Sequence, residues 1–338
     1  LKIIEILKMA MQNKASDIHL TPQSRPMFRI NGELVPAFQQ PLTPEMANEM
    51  AAELMDEAQM QSLQTRGEID FSYSLTNIAR FRINIYRQRE QVALAIRLIP
   101  AQAPQLDSLG LPGIIHDLIA KPQGMILITG PTGSGKSTTL AAIIDHINRS
   151  LRKHIITLED PIEFVHQNMG SIINQRQVGM DTETFASGLR AALRQDPDVI
   201  LVGELRDLET ISIAITAAET GHLVLATLHT SDAPQTIDRI IDVFPAESQA
   251  QIRIQLSSVL LSVIAQRLIP TLDGRGRTAA FEILINNPAV SNLIRSEKAH
   301  QLRSILQTSK AQGMQTMEMS LRELVQNQMI SADAARKV

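Results

Sequence analysis

Met125-Ile126-Leu127-Ile128-Thr129, followed at once by Gly130-Pro131-Thr132-Gly133-Ser134-Gly135-Lys136-Ser137, decides how this chain folds. A short run that is apolar almost throughout suits a strand buried on both faces of a parallel sheet. Gly130, Gly135, Lys136 and Ser137 fit the pattern Gly-x-x-x-x-Gly-Lys-Ser/Thr, and the residues beyond them read as a helix. Strand, glycine loop and helix, in that order, are the context the pattern requires. The glycines let the backbone turn tightly and aim N–H groups at phosphate oxygens, while the helix N-terminus adds positive potential. Gly130 to Thr138 are therefore the expected cradle for ATP. Lys136 is assigned to the β- and γ-phosphates and the Ser137 hydroxyl to Mg2+, with Thr138 in the first helical turn.

Three further apolar runs, Ile155–Leu158, Val199–Val202 and Leu223–Leu228, alternate with segments that read as helices over 136–149, 183–195 and 207–220. This alternation predicts an α/β fold with a mainly parallel sheet. From about residue 246 onward the pattern is mostly helical, with one strand near Ala279–Ile285. The first hundred residues differ. Ile3, Ile4, Leu7 and Met11 form a helical stripe, and Asn31-Gly32 marks a hairpin. Thr43-Pro44 starts a helix running to about Leu63, and strands are expected over Ile69–Leu75, Ala79–Tyr86 and Gln91–Leu98. The expected organisation is a smaller α+β domain over 1–100, a linker over 101–112 beginning near Pro100–Pro104, and the α/β domain over 113–338.

The chain has 338 residues, no cysteine and a formal net charge of −3. Disulfides and thiolate metal sites are excluded. No apolar run approaches the roughly 20 residues of a membrane-spanning helix. The opening residues read as an amphipathic helix rather than a signal peptide, and a start on Leu1 reads as a trimmed chain. A cytoplasmic protein is expected, with any membrane contact made through a partner. A nucleic-acid translocase is disfavoured by the charge, by the lack of Trp and by only two Tyr to stack on bases.

In a parallel sheet all strand C-termini share one edge, and ligands bind there. Glu159, Asp160 and Glu163 follow one strand, Glu204 follows another and His229 a third. Phosphoryl transfer needs one carboxylate on the metal side and another to polarise the attacking water. Glu204 is assigned to the first role and Glu163 to the second, and the two roles are exchangeable at this level. Glu159 and Asp160 are further metal candidates beside Ser137 and Glu204. Asp198 sits at the start of its strand, the wrong end, and reads as a cap or turn. His222 and His229 bracket one strand and lie roughly 20 Å apart if it is fully extended, so both cannot reach one phosphate. His229 is the expected phosphate sensor, and His222 a packing or contact residue.

Five blocks in order resemble those of the type II/type IV secretion ATPases. They are Gly130–Ser137, Ile155–Phe164, Asp198–Glu204, Thr220–Thr230 and the N-terminal Ala15-Ser16-Asp17-Ile18-His19-Leu20. Within that superfamily the chain is most similar to the pilus-retraction members. Extension and secretion members usually carry a four-cysteine zinc element that this cysteine-free chain lacks. The resemblance implies a RecA-like P-loop NTPase domain preceded by a PAS-like domain, assembled as a homohexamer. It implies Mg2+-dependent ATP hydrolysis driving type IV pilus retraction and twitching motility. The partners implied are an inner-membrane (PilC-like) platform protein and, indirectly, pilin, with no direct membrane insertion. Arg82 and Arg97 match the N-terminal arginines that reach the phosphates in this family, although surface arginines on an exposed sheet face remain the alternative. One departure stands out. The family motif Ala-Ile-Arg-Asn-Leu, tied to retraction, here reads Ala289-Val290-Ser291-Asn292-Leu293. Accessory, extension and secretion ATPases of the same superfamily remain alternatives.

Overall fold

The computed structural model describes residues 2–30, 32–75, 79–99, 103–274 and 276–337. Asn31 of the expected hairpin and Pro100, Ala101 and Gln102 of the expected linker lie outside them. The chain divides into two compact units, Leu1–Gln102 and Ala103–Val338.

In the first unit, α1 (Ile3–Gln12) precedes β1 (Asp17–Leu20), β2 (Met27–Ile30) and β3 (Glu33–Pro36). Then come α2 (Pro44–Leu54), α3 (Glu57–Arg66), β4 (Glu68–Leu75), β5 (Ala79–Gln88) and β6 (Gln91–Ile99). The six strands lie in the order β3-β2-β1-β6-β5-β4 and pair antiparallel throughout. One sheet face is apolar: Ile18, Phe28, Phe71, Phe81, Ile83 and Leu94 share a core with the buried side of α1. That side is Ile3, Ile6, Leu7 and Ala10, whereas Ile4, counted in the expected stripe, is exposed. The single helix expected to Leu63 is two helices. Met55 is extended, and Asp56 restarts the helix by accepting from the Gln59 N–H at 2.8 Å while Gln59 reaches back to the Asp56 N–H. This reciprocal cap satisfies two amides that a fresh helix start would leave open.

The second unit begins with α4 (Ile114–Ile119), β7 (Gly124–Thr129), α5 (Lys136–Ser150), β8 (His154–Glu159) and β9 (Ile172–Gln177). It continues with α6 (Phe185–Ala192), β10 (Val199–Val202), α7 (Leu208–Glu219), β11 (Leu223–Leu228), α8 (Ala233–Asp242) and α9 (Ala246–Val259). β12 (Leu260–Pro270), β13 (Arg277–Ile285), α10 (Pro288–Arg295), α11 (Leu302–Thr308), α12 (Met317–Gln326) and α13 (Ala332–Arg336) complete it. The seven strands run β13-β12-β7-β11-β10-β8-β9. All neighbours pair parallel except β12 with β13. This is the α/β fold with a mainly parallel sheet that the apolar runs predict. Every residue of β7, β10 and β11 is buried, because helices cover both faces.

Two strands escape the sequence reading. β12 occupies a stretch read as helical. α9 ends at Val259 and Leu260 is already extended, so no turn residue separates helix from strand. β9, Ile-Ile-Asn-Gln-Arg-Gln, is an edge strand with partly exposed polar residues and offers no apolar run. No described helix is long and apolar enough to cross a membrane.

Candidate active site

β7 delivers the chain to Gly130, and α5 begins at Lys136. Two loop positions demand glycine. At Gly130 (φ +142°) an added Cβ would sit 2.3 Å from the Gln266 carbonyl oxygen. At Gly135 (φ +90°) it would sit 2.8 Å from Gln266 Nε2. Within the loop the Lys136 ammonium donates to the carbonyls of Gly130 at 2.7 Å and Pro131 at 3.1 Å. Burial pulls the Lys136 pKa below its ordinary value, against the opposing fields of Glu204 and Glu163. The hydroxyls of Thr129 and Ser134 are buried here with no hydrogen-bond partner. Buried polar groups are ordinarily satisfied, so a loop that leaves two hydroxyls open beside a buried ammonium suits a polyanion.

Glu204 lies two residues beyond β10. The Gly203 N–H donates to Leu158 O at 2.7 Å, the Leu205 N–H to Thr227 O at 3.0 Å, and the Thr227 hydroxyl to Gly203 O at 2.5 Å. The chain around Glu204 is thereby clamped between the ends of β8 and β11. The carboxylate meets a basic side chain on each side: His229 Nε2 is 3.2 Å from Oε1, and an Arg206 guanidinium nitrogen is 2.7 Å from Oε2. Burial alone would raise the Glu204 pKa, but Arg206 and then His229 outweigh it and hold it below the usual carboxylate value.

Three other acids occupy the same edge in different states. Glu159 Oε1 accepts from the Thr157 hydroxyl at 2.6 Å and from Gln175 Nε2 at 3.1 Å. Burial nevertheless raises its pKa, and the Glu163 charge adds to that rise. Asp160 is exposed, and its field reaches Arg206. The field of Glu163 reaches both Lys136 and Glu159. Lys136, Glu163, Glu204 and His229 thus form one electrostatic group. Among the described residues no three His, Asp or Glu side chains converge as a protein-only metal cage. Mg2+ sites commonly use one or two carboxylates together with substrate phosphates; the carboxylates at this edge are Glu204, Glu159 and Asp160, and Ser137 carries a hydroxyl at the start of α5.

The opposite edge differs. Asp198 accepts from Lys153 Nζ at 3.0 Å and from the His154 N–H at 2.9 Å. His222 Nδ1 bonds Ala217 O at 2.9 Å. Both residues close local structure at the strand starts.

Arg82 and Arg97 belong to the first unit. They face each other directly across β5 and β6. Arg82 donates to both oxygens of Asp70, the closest pair at 2.6 Å. Arg97 Nε donates to Asp17 at 2.8 Å, and the guanidinium is largely exposed. Gln266, buried beneath the glycine loop, is the site residue the sequence reading missed. Its strand was read as helix, which removed the only signal that could have found it.

The family model for the type II/IV secretion system protein matches residues 2–275. The chain belongs to that family. It is 50% identical over 312 residues to the twitching motility protein of Neisseria gonorrhoeae, covering 92% of this chain and 83% of that one. It is 46% identical over 335 residues to the type IV pilus retractation ATPase PilT of Pseudomonas aeruginosa, covering 99% and 97% of the two chains. A crystal structure of the pilus retraction motor PilT with bound ADP matches with a TM-score of 0.93 and 48% identity, covering 100% of this chain and 96% of that one.

Proposed function

We propose that this chain is a Mg2+-dependent ATPase that powers type IV pilus retraction. The observation that carries the reading is the grouping of Lys136, Glu163, Glu204 and His229 around the glycine loop at one sheet edge. The names of two near-full-length relatives and the ADP in a matching structure support it.

The loop amides and Lys136 bind the β- and γ-phosphates, and Lys136 exchanges its two carbonyl partners for phosphate oxygens. Ser137 would hold Mg2+, with Glu204, Glu159 and Asp160 serving it directly or through water, and the ion would supply charge neutralisation to the phosphates. Glu163 orients and polarises the attacking water. His229 exchanges its contact with Glu204 for a γ-phosphate oxygen and so reports the loss of that phosphate. Arg82 and Arg97 add guanidinium charge to the transferring group, leaving their aspartates to do so. The working form is a homohexamer that acts on an inner-membrane platform protein and through it on pilin, from the cytoplasmic side.

Ser291, where the family motif has Arg, has its hydroxyl within hydrogen-bond reach of Ser257 O at 3.0 Å and Asn286 Oδ1 at 2.9 Å and donates to one of them at a time, tying α10 to the end of α9. The retraction test is complementation of a hyperpiliated, non-twitching deletion strain. Restored twitching is the expected result. Full Mg2+-ATPase activity of the pure chain with no rescue would remove retraction and leave the ATPase.

A further inference from the structure

Gln266 touches the phosphate loop at both ends. In the parallel register of β12 with β7, Ala265 stands opposite Thr129, so Gln266 lies level with Gly130, the first loop residue. Its backbone carbonyl fills the space a Gly130 side chain would take, and its carboxamide fills the space at Gly135. The Thr139 hydroxyl, one turn into α5, donates to Gln266 Oε1 at 2.7 Å. Both side chains are buried, Gln266 at 3% and Thr139 at 1% exposure. One residue of β12 therefore sets the approach of the loop's first glycine, its last glycine and the first turn of the helix that follows.

We infer that Gln266 and Thr139 act as a pair of positioning residues for the phosphate loop. Both are buried and act through the loop backbone rather than as phosphate ligands. Gln266 meets the cradle at Gly130, at Gly135 and, through Thr139, just past its last residue, so the spacing of the phosphate-binding amides is set by β12 rather than by the loop alone. A buried side-chain hydrogen bond suits this task. Either orientation of the carboxamide can bond a hydroxyl, and an aliphatic side chain in its place would leave the Thr139 hydroxyl to its own helix backbone. Small displacements of phosphate-binding amides are costly because their alignment is what the site supplies.

The inference rests on the glycine loop being the ATP site, and the test separates the two. Steady-state ATPase kinetics and direct ADP titration are run on the full chain carrying Thr139→Val, Thr139→Ser, Gln266→Leu, or Thr139→Val with Gln266→Leu. Lys136→Ala is the control. Thr139→Val and Gln266→Leu should each raise KM for ATP and weaken ADP about tenfold, with kcat per folded molecule changed less than KM. The double variant should be no worse than the worse single variant, because both remove one interaction. Thr139→Ser keeps the hydroxyl and should stay within about threefold of the parent. A merely structural role would lower the folded fraction, and so apparent kcat, without moving KM. KM and ADP affinity within twofold of the parent in Thr139→Val, or additive losses in the double variant, would overturn the inference. If Gln266→Leu fails to fold, the contrast between Thr139→Val and Thr139→Ser decides alone. Parent-like ADP binding by Lys136→Ala would instead sink the loop as the nucleotide site.

Discussion

The two edges of the seven-stranded sheet carry nearly the same side chains and use them differently. At the strand starts, Asp198 is closed by Lys153 and by a backbone amide, and His222 is closed by the carbonyl of Ala217. At the strand ends, Glu204 is shared between Arg206 and His229, Lys136 is buried on loop carbonyls, and two hydroxyls have no partner. An acid, a histidine and a lysine are therefore no signature by themselves. What separates the edges is what the backbone leaves open. Where parallel strands end and their loops diverge, polar groups remain uncommitted, and a ligand can complete them.

The sharpest way to break this contrast is at the lysines. Lys136→Ala should lower ATP turnover by about a thousandfold or more, whereas Lys153→Ala at the opposite edge should stay within about threefold. Equal losses would mean that the edges are not functionally distinct. The histidines give the next largest separation. His229→Ala is expected to cost about thirtyfold in kcat and His222→Ala less than threefold, both read by phosphate release. Arg82→Ala and Arg97→Ala should each cost about tenfold in kcat if their charge is used at the phosphates, and neither should change the melting temperature much, since exposed ion pairs add little stability. Unchanged kcat in both would restore the reading of surface arginines.

The smallest effect concerns α5 at its far end. His146 Nε2 lies 3.3 Å from His116 Nδ1, and His116 Nε2 lies 2.9 Å from Asp107. Burial, and then the neighbouring His116, pull the His146 pKa below 6.5 against the fields of Asp107 and Asp145. The unfolded chain therefore takes up more protons than the folded one as pH falls through 6.5, so stability is lost on acidification. The melting temperature should fall between pH 7.5 and about 5.5, and His146→Gln should flatten that fall. An unaltered slope would show that this histidine is not linked to folding.

Much of the edge where the strands end was legible because its strands announce themselves. β10 and β11 have the residue limits of their apolar runs, and β7 differs by one residue, since each is walled by loops and covered on both faces. The order in which acids and His229 leave those strands then follows from parallel topology. What the sequence hid has physical causes. β12 follows α9 with no Gly or Pro between them, and a continuous apolar stretch fits either state. With β12 unread, Gln266 had no strand to place it under the loop. The pairing of Arg82 with Asp70 and of Arg97 with Asp17 was equally invisible. Those contacts depend on antiparallel register, which neither residue type nor spacing specifies.

The comparison of edges is tested most directly by Mg2+-ATP turnover of Glu204→Gln measured beside Asp198→Asn. Each change removes one charge and keeps side-chain shape, on carboxylates that bracket the same strand. Glu204→Gln should lose at least about a hundredfold in kcat while still binding ADP, and Asp198→Asn should stay within about threefold. Comparable rates in the two variants, or the larger loss in Asp198→Asn, would contradict the assignment of hydrolysis to the edge where the strands end.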